Sequence, residues 1–136
     1  MVNSRRKGAR GERMWRDELR EAGFTARRGQ QFAGGTDSPD VICEELANLH
    51  MEVKFVDKLN LEKACEQAER DAGLKAWIVA HKRNGKHWKV TMDAGTFFQL
   101  LREGMDCFIE KEDVVTKAMN DLHIHKKGQK KFPWQK

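Results

Sequence analysis

Two short segments of the sequence carry acidic and basic side chains at a spacing that would let them act together. In the segment 50–55, which reads HMEVKF, apolar and polar residues alternate, so on a strand Glu52 and Lys54 share one face. Asp40 directly follows Pro39 and opens a second apolar run. A short polar link separates the two runs, and an antiparallel hairpin would bring Asp40 beside Glu52 and Lys54. Two carboxylates and one ammonium group would then meet.

These groups suit metal-assisted hydrolysis of a phosphodiester. That reaction needs a nucleophile made from water and a positive charge that offsets the charge developing on the phosphate. Mg²⁺ supplies both, and it is typically held by one or two carboxylates, here Asp40 and Glu52, together with water. Lys54 would orient or help deprotonate the attacking water, and Glu12 would add a further acid. Because a Glu-x-Lys pair alone is common on strand surfaces, the prediction depends on the combination.

Glu12 belongs to the first predicted helix, 8–22, which ends at Gly23. Trp15 and Leu19 lie on the apolar face of this helix. Glu12 precedes Trp15 by one turn, so its carboxylate is expected to face the core, where a buried charge needs a partner. The alternative is that Glu12 lies in the first helical turn and interacts only with the helix dipole.

The other elements that must position these residues predict an α/β protein with a mixed sheet flanked by helices. Small residues in the helix at 61–72 would let it pack closely on the sheet. In the helix that Asp93 caps, Phe97, Phe98, Leu100 and Leu101 are expected to pack inward. The remaining predicted elements are a strand at 24–28, the hairpin at 40–55, strands at 76–80 and 87–92 joined by an Asn-Gly turn, and a last helix at 111–122.

The composition limits the class of protein. With 136 residues, 39% hydrophobic and 35% charged, the chain suits one globular domain without disulfides. Cys43, Cys65 and Cys107 are an odd number, widely spaced in apolar patterns, and are expected to be reduced core thiols. No uncharged run exceeds eight residues, which argues against a membrane span, and the basic start lacks the apolar segment of a secretory signal. We therefore expect a cytoplasmic protein, cellular or phage-encoded.

The net charge of +5 is unevenly distributed. Residues 1–35 carry nine Lys/Arg against four acids, 36–121 carry twelve against seventeen, and 122–136 carry five lysines and no acid. Basic ends around an acidic middle suit a protein that holds a polyanion near its carboxylates, and nucleic acid is the natural candidate. The alternative is that the basic ends only aid solubility.

The loop 29–38 either contacts phosphates or simply connects two strands. The expected DNA contacts are Arg5, Arg6, Lys7, Arg10, Arg27, Arg28, Thr36, Ser38, Lys126 and Lys127.

Three other residues could take part in the function, but the sequence supports a role for them less strongly. His50 lies on the alternating face of Glu52 and is expected to be a histidine at the edge of the sheet rather than a residue near the metal. Gln67 is expected to point toward the side of its helix that faces the carboxylates. Trp134 lies in the basic segment 123–136, which is expected to be a flexible tail after a nuclease domain of residues 1–122.

The order of these motifs resembles the PD-(D/E)XK nuclease superfamily, whose shared restriction-endonuclease-like core is helix, three strands, helix and strand. The segments 8–12, 39–42 and 52–54, together with the glycine-bearing loop, are most similar to the archaeal-type Holliday junction resolvases. The likeness covers about residues 5–92, and the segment 93–136 has no clear counterpart in the compact family pattern.

This resemblance implies a metal-dependent endonuclease that acts on branched DNA, commonly as a homodimer, with Mg²⁺ as the metal and Mn²⁺ as an expected substitute. The family places a hydroxyl residue before the Pro-Asp strand, and both Thr36 and Ser38 match it. Two alternatives stay open: a nuclease of the same superfamily that acts on duplex, nicked or flap DNA in repair, restriction or phage DNA processing, and a non-catalytic DNA-binding protein. The positions carried over are Glu12, Asp40 and Glu52 for the acidic metal site and Lys54 for the catalytic lysine.

Overall fold

The computed structural model describes residues 4–29 and 39–109. Thr36, Ser38, Lys126 and Lys127 lie outside these residues, as do the predicted helix 111–122, the tail 123–136 and the predicted domain boundary at residue 122. None of the helices in the described part of the chain is both long and apolar enough to cross a membrane. The elements, in chain order, are α1 (Ser4–Glu21), β1 (Ala26–Arg28), β2 (Val41–Cys43), β3 (Leu49–Phe55), α2 (Leu61–Ala72), β4 (Ala76–Lys82), β5 (Lys89–Met92) and α3 (Ala94–Glu103).

The strands form one five-stranded mixed sheet in the order β1-β2-β3-β4-β5. The β3 and β4 strands are parallel, with α2 as the crossover between them, and every other neighbouring pair is antiparallel. The predicted hairpin is confirmed by the antiparallel pairing of Val41 with Met51. The predicted order of helix, three strands, helix and strand is also confirmed, and β3 is the middle strand of the sheet.

One face of the sheet packs against α1 through the main apolar core. Trp15 and Leu19 contact a cluster that includes Met51 and Val53, the inward residues of β3. The helix lies very close to the sheet at Gly11, where an added Cβ atom would be 2.6 Å from the Cβ of Phe55. Only glycine fits at this distance, which lets the first helix bring its acidic side chain to the sheet.

The other face is covered by α2. The helix begins and ends as the sequence predicts: the side chain of Asn60 accepts a hydrogen bond from the Lys63 amide at 3.1 Å, and Gly73 has a positive φ of 61°. Ala64 and Ala68 pack on Val79 of β4. Such small side chains keep the helix close to the sheet, so the polar side chains of β3 on this face lie beneath it.

The prediction that α3 packs inward is wrong for most of its apolar residues. Phe97, Phe98 and Leu101 are exposed, whereas Leu100 packs against the core. The reason is the position of α3, which follows β5, the strand at the edge of the sheet, so only part of its surface has a described partner. The thiols follow the prediction more closely, since Cys43 and Cys107 are buried and Cys65 is partly buried, all of them free.

Candidate active site

Asp40 is held beside β3 by two hydrogen bonds. Its amide donates to the carbonyl of Met51 at 3.1 Å, and its Oδ2 accepts from the amide of Val53 at 2.8 Å. Together these bonds fix the backbone and the carboxyl group where β2 begins to pair with the middle strand. The carboxyl group of Asp40 is thereby placed close enough to Glu52 for the charge of Glu52 to raise its pKa. The hairpin therefore brings together the two acids that the sequence predicted would meet.

The proton affinity of Asp40 is unusually high for an aspartate. The pKa of Asp40 is raised from 3.8 to about 7, first by burial and then by the negative charge of Glu52. The charge of Glu12 raises the pKa further, while the hydrogen bond from the Val53 amide lowers it. Near neutral pH Asp40 is therefore partly protonated, in a place where a cation would also be stabilised.

Glu12 lies on the third turn of α1, since that helix begins at Ser4. The alternative that placed Glu12 in the first turn is therefore wrong. Its side chain is buried, and Oε2 accepts hydrogen bonds from Arg28 at 2.7 Å from Nη2 and 3.1 Å from Nε. Glu12 thus has the partner that a buried charge requires, and it is close enough to Asp40 to raise the pKa of that residue.

Lys54 lies on the same face of β3 as Glu52. Its Nζ donates a hydrogen bond to Oε1 of Gln67 on α2 at 3.1 Å. Gln67 therefore points toward Lys54 on β3, the side of its helix that was expected, and it orients an ammonium group that would otherwise rotate freely on a four-carbon chain.

His50 is not at the edge of the sheet, because β3 is the middle strand. Its Nε2 lies 2.8 Å from Oε1 of Glu52, and both side chains are buried. The sequence reasoning also missed Asp71, whose carboxylate lies with His50 and Glu52 in one group. Asp71 follows Gln67 by one helical turn, and this i, i+4 spacing on α2 is the signal that could have revealed it.

The donor set fits a hard divalent cation. Asp40 and Glu52 supply carboxylate oxygens, the ligands that Mg²⁺ prefers, and the raised pKa of Asp40 marks a position where positive charge is stabilised. Glu12 adds a third carboxylate nearby, although Arg28 already neutralises it. The arrangement can therefore hold a metal beside an ammonium group, which is the combination that phosphodiester hydrolysis needs.

No family model and no curated protein matches the chain. Among solved structures, it is similar to Hjc, a Holliday junction resolvase from the archaeal hyperthermophile Archaeoglobus fulgidus. The two share 30% sequence identity over 63% of this chain and 72% of that chain, with a TM-score of 0.45. The chain belongs to the archaeal-type Holliday junction resolvase family. The restriction-endonuclease-like fold that the resemblance implied is confirmed.

Two basic depressions flank the acidic cluster of this resolvase-family chain. The first, about 590 Å³, is lined by Arg5, Arg28, Glu12 and the small residues of the first helix. The second, about 290 Å³, lies on the α2 side and includes Lys58 and Lys63 beside the ammonium group of β3. Sequence reasoning missed these two lysines because the middle of the chain is acidic in total. Their positions on either side of the Asn60 cap are the local signal.

The remaining basic residues that were predicted to contact DNA differ in how far their side chains are exposed to solvent. Arg6, Arg10 and Arg27 are exposed. Lys7 is only partly exposed, because its ammonium group lies 3.7 Å from a carboxylate oxygen of Asp57 and 5.1 Å from the centre of the Phe55 ring. Lys7 therefore helps to cover the end of β3, and its charge is shared with a neighbouring acid.

Proposed function

We propose that this chain is a metal-dependent endonuclease that hydrolyses phosphodiester bonds in branched DNA, with the four-way junction as its substrate. The observation that carries the proposal is the buried acid pair, Asp40 and Glu52, on the same sheet as Lys54. The substrate class is supported by membership in a family whose Archaeoglobus fulgidus member is a Holliday junction resolvase. Such an enzyme acts inside the cell, where branched DNA occurs.

In this proposal Asp40 and Glu52 hold Mg²⁺, with Glu12 as a third acid, and Mn²⁺ substitutes for it. When bound, the ion polarises the phosphate and lowers the pKa of coordinated water. Lys54 orients the attacking water and offsets phosphate charge, and its hydrogen bond with Gln67 keeps the ammonium group in place.

The two basic depressions hold the DNA backbone on both sides of the acids. Arg5 and Arg28 contact phosphates on the α1 side, and Lys58 and Lys63 contact phosphates on the α2 side. Phosphate contacts position the strand but do not select its sequence, which suits an enzyme that recognises the shape of a junction. We further propose that the protein is a homodimer, because two opposed strands of a junction must be cut.

The test is cleavage of an end-labelled four-way junction in Mg²⁺, compared with EDTA and with linear and flap DNA. The variants Asp40→Asn, Glu52→Gln and Lys54→Ala are expected to lower the cleavage rate by about a hundredfold or more while junction binding persists. Asp57→Asn, at an exposed acid paired with a lysine, is the matched control and should cleave as the wild type does.

Two results would contradict the proposal. Cleavage that continues in EDTA, or in all three active-site variants, would refute the metal site. Equal cleavage rates for linear duplex and four-way junction would refute the branched substrate while leaving the nuclease assignment in place. Sedimentation of the chain with and without a junction separately tests whether it is a dimer.

A further inference from the structure

A second group of possible metal ligands lies between β3 and α2. One ligand atom each from His50, Glu52 and Asp71 lies within 4.8 Å of the other two. The three side chains are almost fully buried, with exposed fractions of 3%, 3% and 5%. The proposed function uses Glu52 but gives no role to the other two residues.

Asp71 is the member of this group that lacks an adequate partner. Within residues 4–29 and 39–109, its carboxylate has no hydrogen bond, and the nearest cation, Nε of the exposed Arg70, is 3.9 Å away. Asp71 also lies in the last turn of α2, the negative end of the helix dipole, which disfavours an acid and favours a cation. A buried carboxylate in this position is costly unless a positive charge joins it.

We propose that His50, Glu52 and Asp71 bind one divalent transition-metal ion of the Mn²⁺ or Zn²⁺ type. Two carboxylates neutralise the charge of such an ion, and the imidazole supplies a nitrogen ligand that suits Mn²⁺ or Zn²⁺ better than Mg²⁺. The 2.8 Å separation between His50 and Glu52 is close to the roughly 3 Å expected for adjacent ligands on one ion with metal–ligand distances of about 2.1 Å. The site goes beyond the proposed function and shares only Glu52 with it.

Metal binding by the full chain tests this proposal without any cleavage reaction. Pulsed electron paramagnetic resonance of bound Mn²⁺ should detect coupling to an imidazole nitrogen in the wild type and none in His50→Gln. Calorimetric titration with Zn²⁺ should give an affinity at least about tenfold weaker in Asp71→Asn. The control variants, His87→Gln and the double variant His123→Gln/His125→Gln, should keep both the nitrogen coupling and the Zn²⁺ affinity.

Nitrogen coupling that survives His50→Gln, or Zn²⁺ affinity that is unchanged in Asp71→Asn, would overturn the site. If His50→Gln does not fold by circular dichroism, the near-isosteric Asp71→Asn decides alone. Junction cleavage in Mg²⁺ by the wild type is a separate result: its absence would refute the proposed function, whereas loss of imidazole coupling concerns only the second metal site.

Discussion

Replacing Asp40 with asparagine should make the metal-free protein more stable while removing its activity. The folded chain raises the pKa of this carboxyl group from 3.8 to about 7, which means that ionised Asp40 is disfavoured in the folded state. An asparagine carries no charge, and its carbonyl oxygen can still accept the hydrogen bond from the Val53 amide. The substitution therefore removes the electrostatic cost and keeps the local geometry.

The size of the effect follows from the pKa difference. A raised pKa contributes stability that is fully present below pH 3.8 and is lost as the pH rises through about 7, because the folded state binds the proton over that range and the unfolded state does not. A shift of about three units at about 1.4 kcal/mol each gives an upper bound of about 4 kcal/mol at pH 8. At pH 5, 1.2 units above the unfolded pKa of 3.8, the cost of Asp40 falls to about 1.7 kcal/mol, so the advantage of Asp40→Asn shrinks as the pH falls.

Urea unfolding in EDTA between pH 5 and pH 8.5 measures this difference directly. Asp57→Asn is the control, since it removes an exposed acid and should change stability little at any pH. Adding Mg²⁺ should stabilise the wild type and have little effect on Asp40→Asn, because only an ion that binds the folded state raises its stability. A variant that is no more stable than the wild type at pH 8, or whose advantage does not change with pH, would refute the reasoning.

Two further predictions concern the helix contact and the second basic depression. Gly11→Ala should lower the free energy of unfolding by about 1 kcal/mol or more, because the added Cβ would clash with the sheet. Gly8→Ala, where an added Cβ would have open space around it, should raise the free energy of unfolding by about 0.5–1 kcal/mol. Urea unfolding in which both variants shift stability in the same direction would contradict this contact. The double variant Lys58→Ala/Lys63→Ala should weaken junction binding and lower the magnitude of the slope of log K against log salt by about one to two. Lys75→Ala, at the other end of α2, is the control and should change neither quantity. If filter-binding titrations give equal slopes for the wild type and the double variant, Lys58 and Lys63 do not contact DNA phosphates.

The parts of the fold that the sequence predicted well are those with local signals. Asn60 and Gly73 mark the ends of α2 through a side-chain cap and a positive φ, and both depend only on neighbouring residues. The alternation in segment 50–55 similarly placed Glu52 and Lys54 on one face, because side-chain direction along a strand has a period of two. The acid pair followed once these elements were joined as a hairpin.

The parts that were missed depend on which elements become neighbours. His50 was expected at an edge because its own strand does not show that two strands lie on either side of it. The contact of Asp71 with that strand depends on the placement of α2 over the sheet, which the helix pattern alone does not give. Phe97 and Phe98 were expected to face the core, but they are exposed because their helix follows the strand at the edge of the sheet.

The three acids of the site differ in the partners that the fold gives them, and this difference explains where a cation should act. Glu12 has the guanidinium group of Arg28, a full positive charge, whereas Glu52 has a ring nitrogen of His50 at 2.8 Å, within hydrogen-bonding distance. Asp40 has a backbone amide, which donates a hydrogen bond but brings no charge. The electrostatic cost of the site therefore falls on Asp40, whose pKa is raised to about 7, first by burial and then by the charge of Glu52. A divalent ion between Asp40 and Glu52 would remove that cost, so the same arrangement that destabilises the empty site favours metal binding.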